Sequence, residues 1–327
     1  MRQVRAILIE RTGGPEVLKL GEITVGDPGP LEVRIRHHAI GINYIDTYHR
    51  SGLYPLPLPA VLGGEASGVV EAVGSGVTHV AVGDRVAYVP RTPGTYSEAR
   101  VVPAMTVVKL PDAIDTETGA AMMLKGLTVQ YLLRRTRAPI EPGDSIVWHA
   151  AAGGVGLIAC QWARALGYQV IATAGSPEKC QLALDHGAAH AINYRTEDVV
   201  ARVRALTDGR GVKAVFDSVG KDTWERSLDC LRPLGLMVSF GNASGPVPPI
   251  SLGQLAAKGS LHVTRPTLFA HLTSIEVTQE MSAELFAMVT SGKVKVPVER
   301  RYPLEQAEQA HRDLEARITT GAGILIP

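Results

Sequence analysis

The chain of 327 residues predicts an α/β protein, a doubly wound parallel sheet joined to an irregular, β-rich antiparallel domain. From Ser145 onward, strand-like apolar runs alternate with helical stretches, the pattern of βα units and of a parallel sheet covered on both faces. The first third instead shows period-two alternation, with Leu31, Val33 and Ile35 set against Glu32, Arg34 and Arg36. Length adds a third observation: at roughly 150 residues per domain, it suggests about two domains.

The early part is punctuated by Gly13-Gly14-Pro15 and Asp27-Pro28-Gly29-Pro30. Further strands are expected at 66–73, 85–89, 96–102 and 106–110, with a short helical stretch near 43–50. After Asp115, the residues Ala120, Ala121, Leu124, Leu127, Val129 and Leu132 gather at helical spacing. The basic run Arg134 to Arg137 suits that helix's carboxyl end. Strands then fall at 146–148, 169–174, 191–193, 214–216, 236–240 and 260–263. Helices lie between them at 155–166, 178–186, 198–206 and 224–231. The tail supplies helices around 282–290 and 305–318 and a last strand at 323–326.

The run Ala151-Ala152-Gly153-Gly154-Val155-Gly156 follows a strand and opens a helix, matching G-x-G-x-x-G with Ala151 in the first glycine's place. Small residues there let backbone N–H groups approach a pyrophosphate, and a helix amino end carries about half a positive charge. A tight turn needing small residues for packing is the competing reading of the hexapeptide alone. The βαβαβ alternation around it favours a dinucleotide. Where an NAD site ordinarily ends its second strand in an acidic residue for the adenosine ribose, the chain reads Ala174-Gly175-Ser176-Pro177-Glu178-Lys179. Glycine leaves room, Lys179 brings charge, and Tyr194 and Arg195 follow the third strand. The pattern favours a 2′-phosphate and hence NADPH, while Glu178 keeps NAD in play.

Hydrophobic residues at 45% and charged residues at 20% are globular proportions. The formal net charge is +1. Residues 126–264 carry +3 and the remainder −2, so neither part has the basic stripe that nucleic acid requires. Cys160, Cys180 and Cys230 form no CxxC pair, which argues against a disulfide framework or a zinc lobe and fits a reducing cytoplasm. The stretch Ala6 to Ile9 is too short for a signal peptide's apolar region. The longest apolar run, Ala150 to Cys160, falls below the roughly 18 residues of a membrane span.

Several segments then act together: Gly41-Ile42-Asn43-Tyr44-Ile45-Asp46, Arg50-Ser51-Gly52-Leu53-Tyr54-Pro55, His149 through Gly156, Phe216-Asp217-Ser218-Val219-Gly220, Val263-Thr264-Arg265-Pro266, Tyr302-Pro303-Leu304 and the end from Ala322 to Pro327. In this order and spacing the chain resembles the zinc-free quinone oxidoreductases of the zeta-crystallin type, in the medium-chain dehydrogenase/reductase superfamily. The resemblance implies a GroES-like catalytic domain from 1–124 and 266–327, with a Rossmann-type NADP-binding domain, 125–265, inserted in it. It implies NADPH in the cleft, a quinone substrate, and a homodimer through the sheet edge near Leu261 to Thr264.

Carried over by motif, the resemblance brings Asn43, Asp46 and Tyr48 to the nicotinamide ribose or ring, with Thr128 and Tyr131 near the nicotinamide end. Gly153, Gly154, Val155 and Gly156 cover the pyrophosphate. Gly175, Ser176, Lys179 and Tyr194 enclose the 2′-phosphate. Ser218, the loop Gly241-Asn242-Ala243-Ser244, the segment Val263-Thr264-Arg265-Pro266 and Arg317 close the remaining contacts. If a hydrogen-bond donor assists the reaction, Tyr48 is expected first, then Asn43, then Tyr54. His37, His38 and His49 read as strand or surface histidines and the cysteines as structural.

Zinc-dependent relatives place Cys near position 43 and His within a GHE motif, whereas this chain has Asn43 and Gly63-Gly64-Glu65, and no cysteine-rich lobe at 90–97. Reducing an ordinary ketone builds an alkoxide whose conjugate acid resembles water, with a pKa of about 15.7, and a Lewis acid is needed to hold that charge. A reduced quinone carries a phenolate-like oxygen. With tyrosine's pKa of about 10 as its guide, the difference is worth at most about 8 kcal/mol that needs no metal. Reduction of an activated C=C bond in an enal or enone is the alternative within enzymes, since its product also starts as a stabilised enolate. A nucleic-acid-binding or crystallin-like structural role is the alternative of another class.

Overall fold

The computed structural model describes residues 1–136 and 140–327; Arg137, the last arginine of the basic run, lies outside them. In chain order the elements begin β1 (Arg2–Ile9), β2 (Lys19–Val25), β3 (Glu32–Gly41), α1 (Tyr44–Ser51), β4 (Ala60–Val61), β5 (Ala66–Val73), β6 (Arg85–Tyr88), β7 (Ala99–Pro103), β8 (Val107–Lys109) and α2 (Thr116–Arg134). They continue with β9 (Ser145–Trp148), α3 (Gly154–Ala165), β10 (Gln169–Ala174), α4 (Pro177–Asp185), β11 (His190–Asn193), α5 (Val199–Leu206), β12 (Val212–Asp217), α6 (Trp224–Cys230) and β13 (Leu231–Ser239). The last are α7 (Leu252–Ala257), β14 (His262–Thr264), α8 (Leu268–His271), α9 (Ile275–Thr290), β15 (Val298–Pro303), α10 (Ala307–Glu315) and β16 (Ala322–Ile326). Two compact units result: Met1–Leu127 with Leu272–Thr290 and Val296–Pro327, and Thr128–His271 with Ser291–Lys295.

In the first unit, β2-β1-β4 form a small antiparallel sheet. A larger one runs β15-β16-β3-β5-β6-β8, with β7 also paired to β3. Alternation in β3 works as expected from Val33 and Ile35, both fully buried, but Leu31 precedes the strand and is 70% exposed. A register shift against β5 between His37 and Ala39 breaks the period, so Ala39 and Ile40 are both buried. The sequence reading missed β15. Its residues Glu299, Arg300 and Arg301 are exposed and only Tyr302 is buried, as suits an edge strand without an apolar face.

In the second unit the six described strands run in the order β11-β10-β9-β12-β13-β14, all parallel. This is the predicted doubly wound α/β class. The order reverses between β9 and β12, so the crevice beyond Trp148 and Asp217 is where such a sheet takes its ligand. Trp148 and Phe216 stack there at 4.7 Å, and Val147, Val215 and Met237 are fully buried beneath. Among the described residues no helix is long and apolar enough to cross a membrane.

Burial also sets a pH dependence. His37 donates from Nδ1 to the Ser97 carbonyl and accepts at Nε2 from Tyr88. Buried as a neutral ring, it is pulled to about 4, and burial takes His311 to about 3. Burial pushes the Asp46 carboxyl up to about 7. Between pH 6.5 and 4 unfolding therefore binds protons at the two histidines and releases one from Asp46. With more protons on the unfolded chain, stability is expected to fall as pH drops through this range, by about 1.4 kcal/mol per unit for each net proton. Urea midpoints at pH 7, 6 and 5 measure this; a midpoint rising toward pH 5 contradicts it.

Candidate active site

In the second unit most of the predicted cofactor residues fall at the ends of four strands, β9, β10, β12 and β13, and at or just beyond the end of β14. At the first, the His149 N–H donates to the Phe216 carbonyl and the Ala151 N–H to that of Thr173, lacing the turn after β9 to both neighbouring strands. Ala150 takes a left-handed φ of 54°. A Cβ at Gly156 would lie 2.4 Å from the Ala151 carbonyl oxygen, so only glycine lets α3 start this close to the strand. Gly153 is the N-cap of α3 and offers no side-chain hydrogen bond, and a Cβ there would meet only the Ala150 oxygen, at 3.3 Å. Under the turn, Ser227 donates to Asp217, and His149 bridges Ser227 at 3.0 Å and Thr173 at 2.8 Å. Because the serine's proton is committed to the carboxylate, Nε2 donates and Nδ1 accepts, and burial lowers the ring's pKa. This is a brace between three strand ends, with its serine fully buried.

At the end of β10, Gly175, Ser176, Lys179 and Tyr194 come together. A Cβ on Gly175 would sit 2.5 Å from the Tyr194 hydroxyl, so the phenol lies over the glycine. Ser176 caps α4 by accepting from the Lys179 N–H at 3.3 Å, and its side chain holds the exposed Glu178 carboxyl below its usual range. Past β12 and β13 the loops are zipped. The Ala243 N–H donates to the Ser218 carbonyl and the Ser244 N–H to that of Val219, while a Cβ at Gly241 would meet the Ser218 oxygen at 2.4 Å. Ser218, Gly241, Asn242, Ala243 and Ser244 thus share one wall. Val263 and Thr264 end β14. Arg265 turns back to donate to the Ser239 carbonyl at 3.0 Å, and its charge acts on the buried Tyr131, which stacks on His271 at 4.8 Å. Pro266 follows, and Thr128 lies half-buried one turn before Tyr131 on α2.

The first unit gathers the other predicted residues around α1. Asn43 is its N-cap, donating its N–H to Asp46 at 2.9 Å and its side-chain amide to Glu65 at 2.8 Å. Tyr48 is 8% exposed, edge-on to Tyr44 at 5.6 Å and to Tyr54 at 5.1 Å. Arg317, exposed with a φ of 58°, acts by its charge on Tyr44. Asp46 is turned inward and is 1% exposed.

Sequence reasoning missed the support behind Asn43. The fully buried Glu65 carboxylate also accepts from Lys125 Nζ at 2.5 Å and from the Leu124 N–H at 2.7 Å. The signal was present: a lysine stands in the otherwise apolar face of α2, and a buried ammonium requires a partner. His37 is buried within its strand. Cys160 and Cys230 are buried, with thiols pushed up to about 12. Among the described residues, no group of three or more His, Cys, Asp or Glu is placed to hold a metal ion.

Two family profiles match the sequence: "Alcohol dehydrogenase GroES-like domain" over 29–112 and "Zinc-binding dehydrogenase" over 154–286. The chain is 56% identical over 316 residues to a quinone oxidoreductase of Pseudomonas aeruginosa, covering 96% of this chain and 97% of that one. It is 44% identical over 332 residues to a 2-haloacrylate reductase of a Burkholderia species, covering 99% of both. Among solved structures, the Escherichia coli quinone oxidoreductase complexed with NADPH is similar at 53% identity with a TM-score of 0.97, over 99% of this chain and 100% of that one.

Three substitutions test the construction. Gly156→Ala must displace backbone and is expected to cost about 2–4 kcal/mol of stability, whereas Gly153→Ala costs under about 1 kcal/mol. Lys125→Met strands the buried Glu65 charge and is expected to cost about 3–5 kcal/mol. Denaturant unfolding measures all three, and a Gly156→Ala variant as stable as Gly153→Ala contradicts the close approach.

Proposed function

The chain belongs to the zinc-free quinone oxidoreductases of the medium-chain dehydrogenase/reductase superfamily, and from that premise we propose that it reduces quinones with NADPH, without a metal ion. The observation that carries the cofactor choice is the cluster at the end of β10. Tyr194 lies over Gly175, Lys179 stands in the first turn of α4 after Glu178, and β10 itself ends in Ala174-Gly175 rather than in the acidic residue of an NAD site. The uncapped amino end of α3 and the space over Gly153 suit a pyrophosphate. Bound NADPH supplies a hydride from its nicotinamide ring.

In this reading residues 1–124 and 266–327 serve as the catalytic part and 125–265 as the NADP-binding part. Gly153 to Gly156 receive the pyrophosphate, and Gly175, Ser176, Lys179 and Tyr194 the 2′-phosphate. Ser218, Gly241 to Ser244, Val263 to Pro266, Thr128, Tyr131 and Arg317 complete the cofactor contacts. Asn43 and Tyr48 belong to the nicotinamide end, with the sequence-predicted Asp46 turned inward behind Asn43 rather than toward the cofactor, and with Tyr48, then Asn43, then Tyr54 offering hydrogen bonds to the acceptor oxygen. Positioning does most of the work, because the phenolate-like oxygen of a reduced quinone holds its own charge.

The 44% identity to a 2-haloacrylate reductase supports a second reading, saturation of an activated C=C bond. We place the protein in the cytoplasm as a homodimer through Leu261 to Thr264. β14 is the edge of its sheet, and Leu234 and Val263 near it are 65% and 39% exposed. Light scattering at micromolar concentration tests the dimer; a monomer mass refutes it.

NADPH oxidation measured in parallel with naphthoquinones, alkenals and 2-haloacrylate separates the two reactions, and no quinone turnover would remove the first. Lys179→Ala is expected to lower the NADPH-to-NADH ratio of kcat/KM by roughly tenfold to a hundredfold, the worth of one charge-assisted hydrogen bond. An unchanged ratio takes Lys179 out of the phosphate site.

A further inference from the structure

A buried polar chain leaves the last turn of α1 at Arg50, passes through His311 of α10 and Tyr96, and returns to the first turn of α1 at Asp46. Arg50, 2% exposed, donates from Nη2 to Glu315 at 2.6 Å, and its Nη1 lies 3.0 Å from Nδ1 of the fully buried His311. His311 Nε2 is 3.1 Å from the Tyr96 hydroxyl, which is 3.0 Å from Asp46 Oδ2. That same oxygen accepts the Asn43 N–H.

The polarity of the whole chain follows from one chemical fact: a guanidinium can only donate. Nδ1 of His311 must therefore accept, so the ring is the neutral Nε2–H tautomer. Nε2 in turn donates to the Tyr96 oxygen, leaving Asp46 as the acceptor for the tyrosine's proton. With two donors on Oδ2, a proton on Asp46 can sit only on Oδ1, which is buried and has no hydrogen-bond partner. The other charges acting on Asp46 are Lys125, which favours its ionised form, and Glu65, which opposes it. Arg50 and His311 stand behind Tyr96. Because the guanidinium is not deprotonated in proteins, the chain cannot relay protons inward from Glu315. It can only hold.

We propose that Tyr96 and His311 are positioning residues: a one-way run of hydrogen bonds beginning at Arg50 holds Asp46 as an acceptor, and through it the Asn43 N–H and the first turn of the helix that carries Tyr48. The proposal rests on the place given to Asn43 and Tyr48 in quinone reduction.

Two measurements test it. The first needs no cofactor. In the protein labelled with 15N-histidine, the resonances lost in His311→Gln identify this ring in long-range 1H–15N spectra. They are expected to show a bare Nδ1 and a protonated Nε2, unchanged from pH 8 to pH 5; an Nδ1–H tautomer or a charged ring overturns the polarity. The second is the acid limb of kcat/KM for a naphthoquinone against pH. Tyr96→Phe takes a donor from the Asp46 carboxylate, so its proton is held more tightly and the limb is expected to move to higher pH by about one unit. His311→Gln, whose amide can accept from Arg50 and donate to Tyr96, is expected to leave the limb within about 0.3 unit of wild type. A limb unmoved in Tyr96→Phe, or moved equally in both variants, overturns the positioning role. A wild type that turns over no quinone overturns the functional reading instead and leaves the tautomer measurement standing.

Discussion

Helix α3 begins against the end of β9 at a distance that leaves no room for a Cβ at position 156. The second unit is organised by that approach. It brings the amino end of the helix, with its partial positive charge, to the point where the strand order reverses. The turn is then pinned sideways, by backbone hydrogen bonds to Phe216 and Thr173 above and by the His149–Ser227–Asp217 brace below. A strained residue, Ala150, is held in place by this lacing. Close backbone contact recurs where Gly241 meets Ser218, so the turns at these strand ends are set by main chain.

The first unit solves a different problem, that of charge without water. Asp46 and Arg50 of α1, with Glu65 and Lys125, are all nearly or fully buried, and each is costly unless its hydrogen-bonding capacity is met. Glu65 is satisfied by three donors, one of them an ammonium. Asp46 is served on one oxygen only, and burial leaves its carboxyl at about 7. Both carboxylates bind Asn43, one through its side chain and the other through its backbone. The start of α1 is therefore held from two directions by groups that lose much if they let go.

In the proposed reading, the buried groups of the first unit suit an acceptor that stabilises its own developing charge. Relatives that build an alkoxide invest in a metal. Here position 43 carries an amide held by a carboxylate, and the ammonium of Lys125 lies on the same carboxylate. The rings of Tyr44, Tyr48 and Tyr54 cluster edge-on, and in the proposed reading they offer flat surface and hydroxyl donors to the acceptor. Such an arrangement favours orientation over strong electrostatic activation.

The alternation of strands and helices after Ser145 and the glycine run at 153–156 were legible in the sequence, because period and turn chemistry are local properties of neighbouring residues. So was the small-residue and lysine pattern at 175–179. The extent of β3's buried face was not, since the register shift at His37 to Ala39 depends on the partner strand. Nor was β15, whose pairing with β16 rather than its own composition makes it a strand. The same holds for Glu65 with Lys125, 60 residues apart, and for Tyr96 with His311, 215 apart. What the sequence by itself determined is the class of sheet and the glycine turn that opens α3. Only the tertiary structure decided which buried polar groups face one another, because that pairing is set by loop closure and packing across distant segments, to which no local pattern is sensitive.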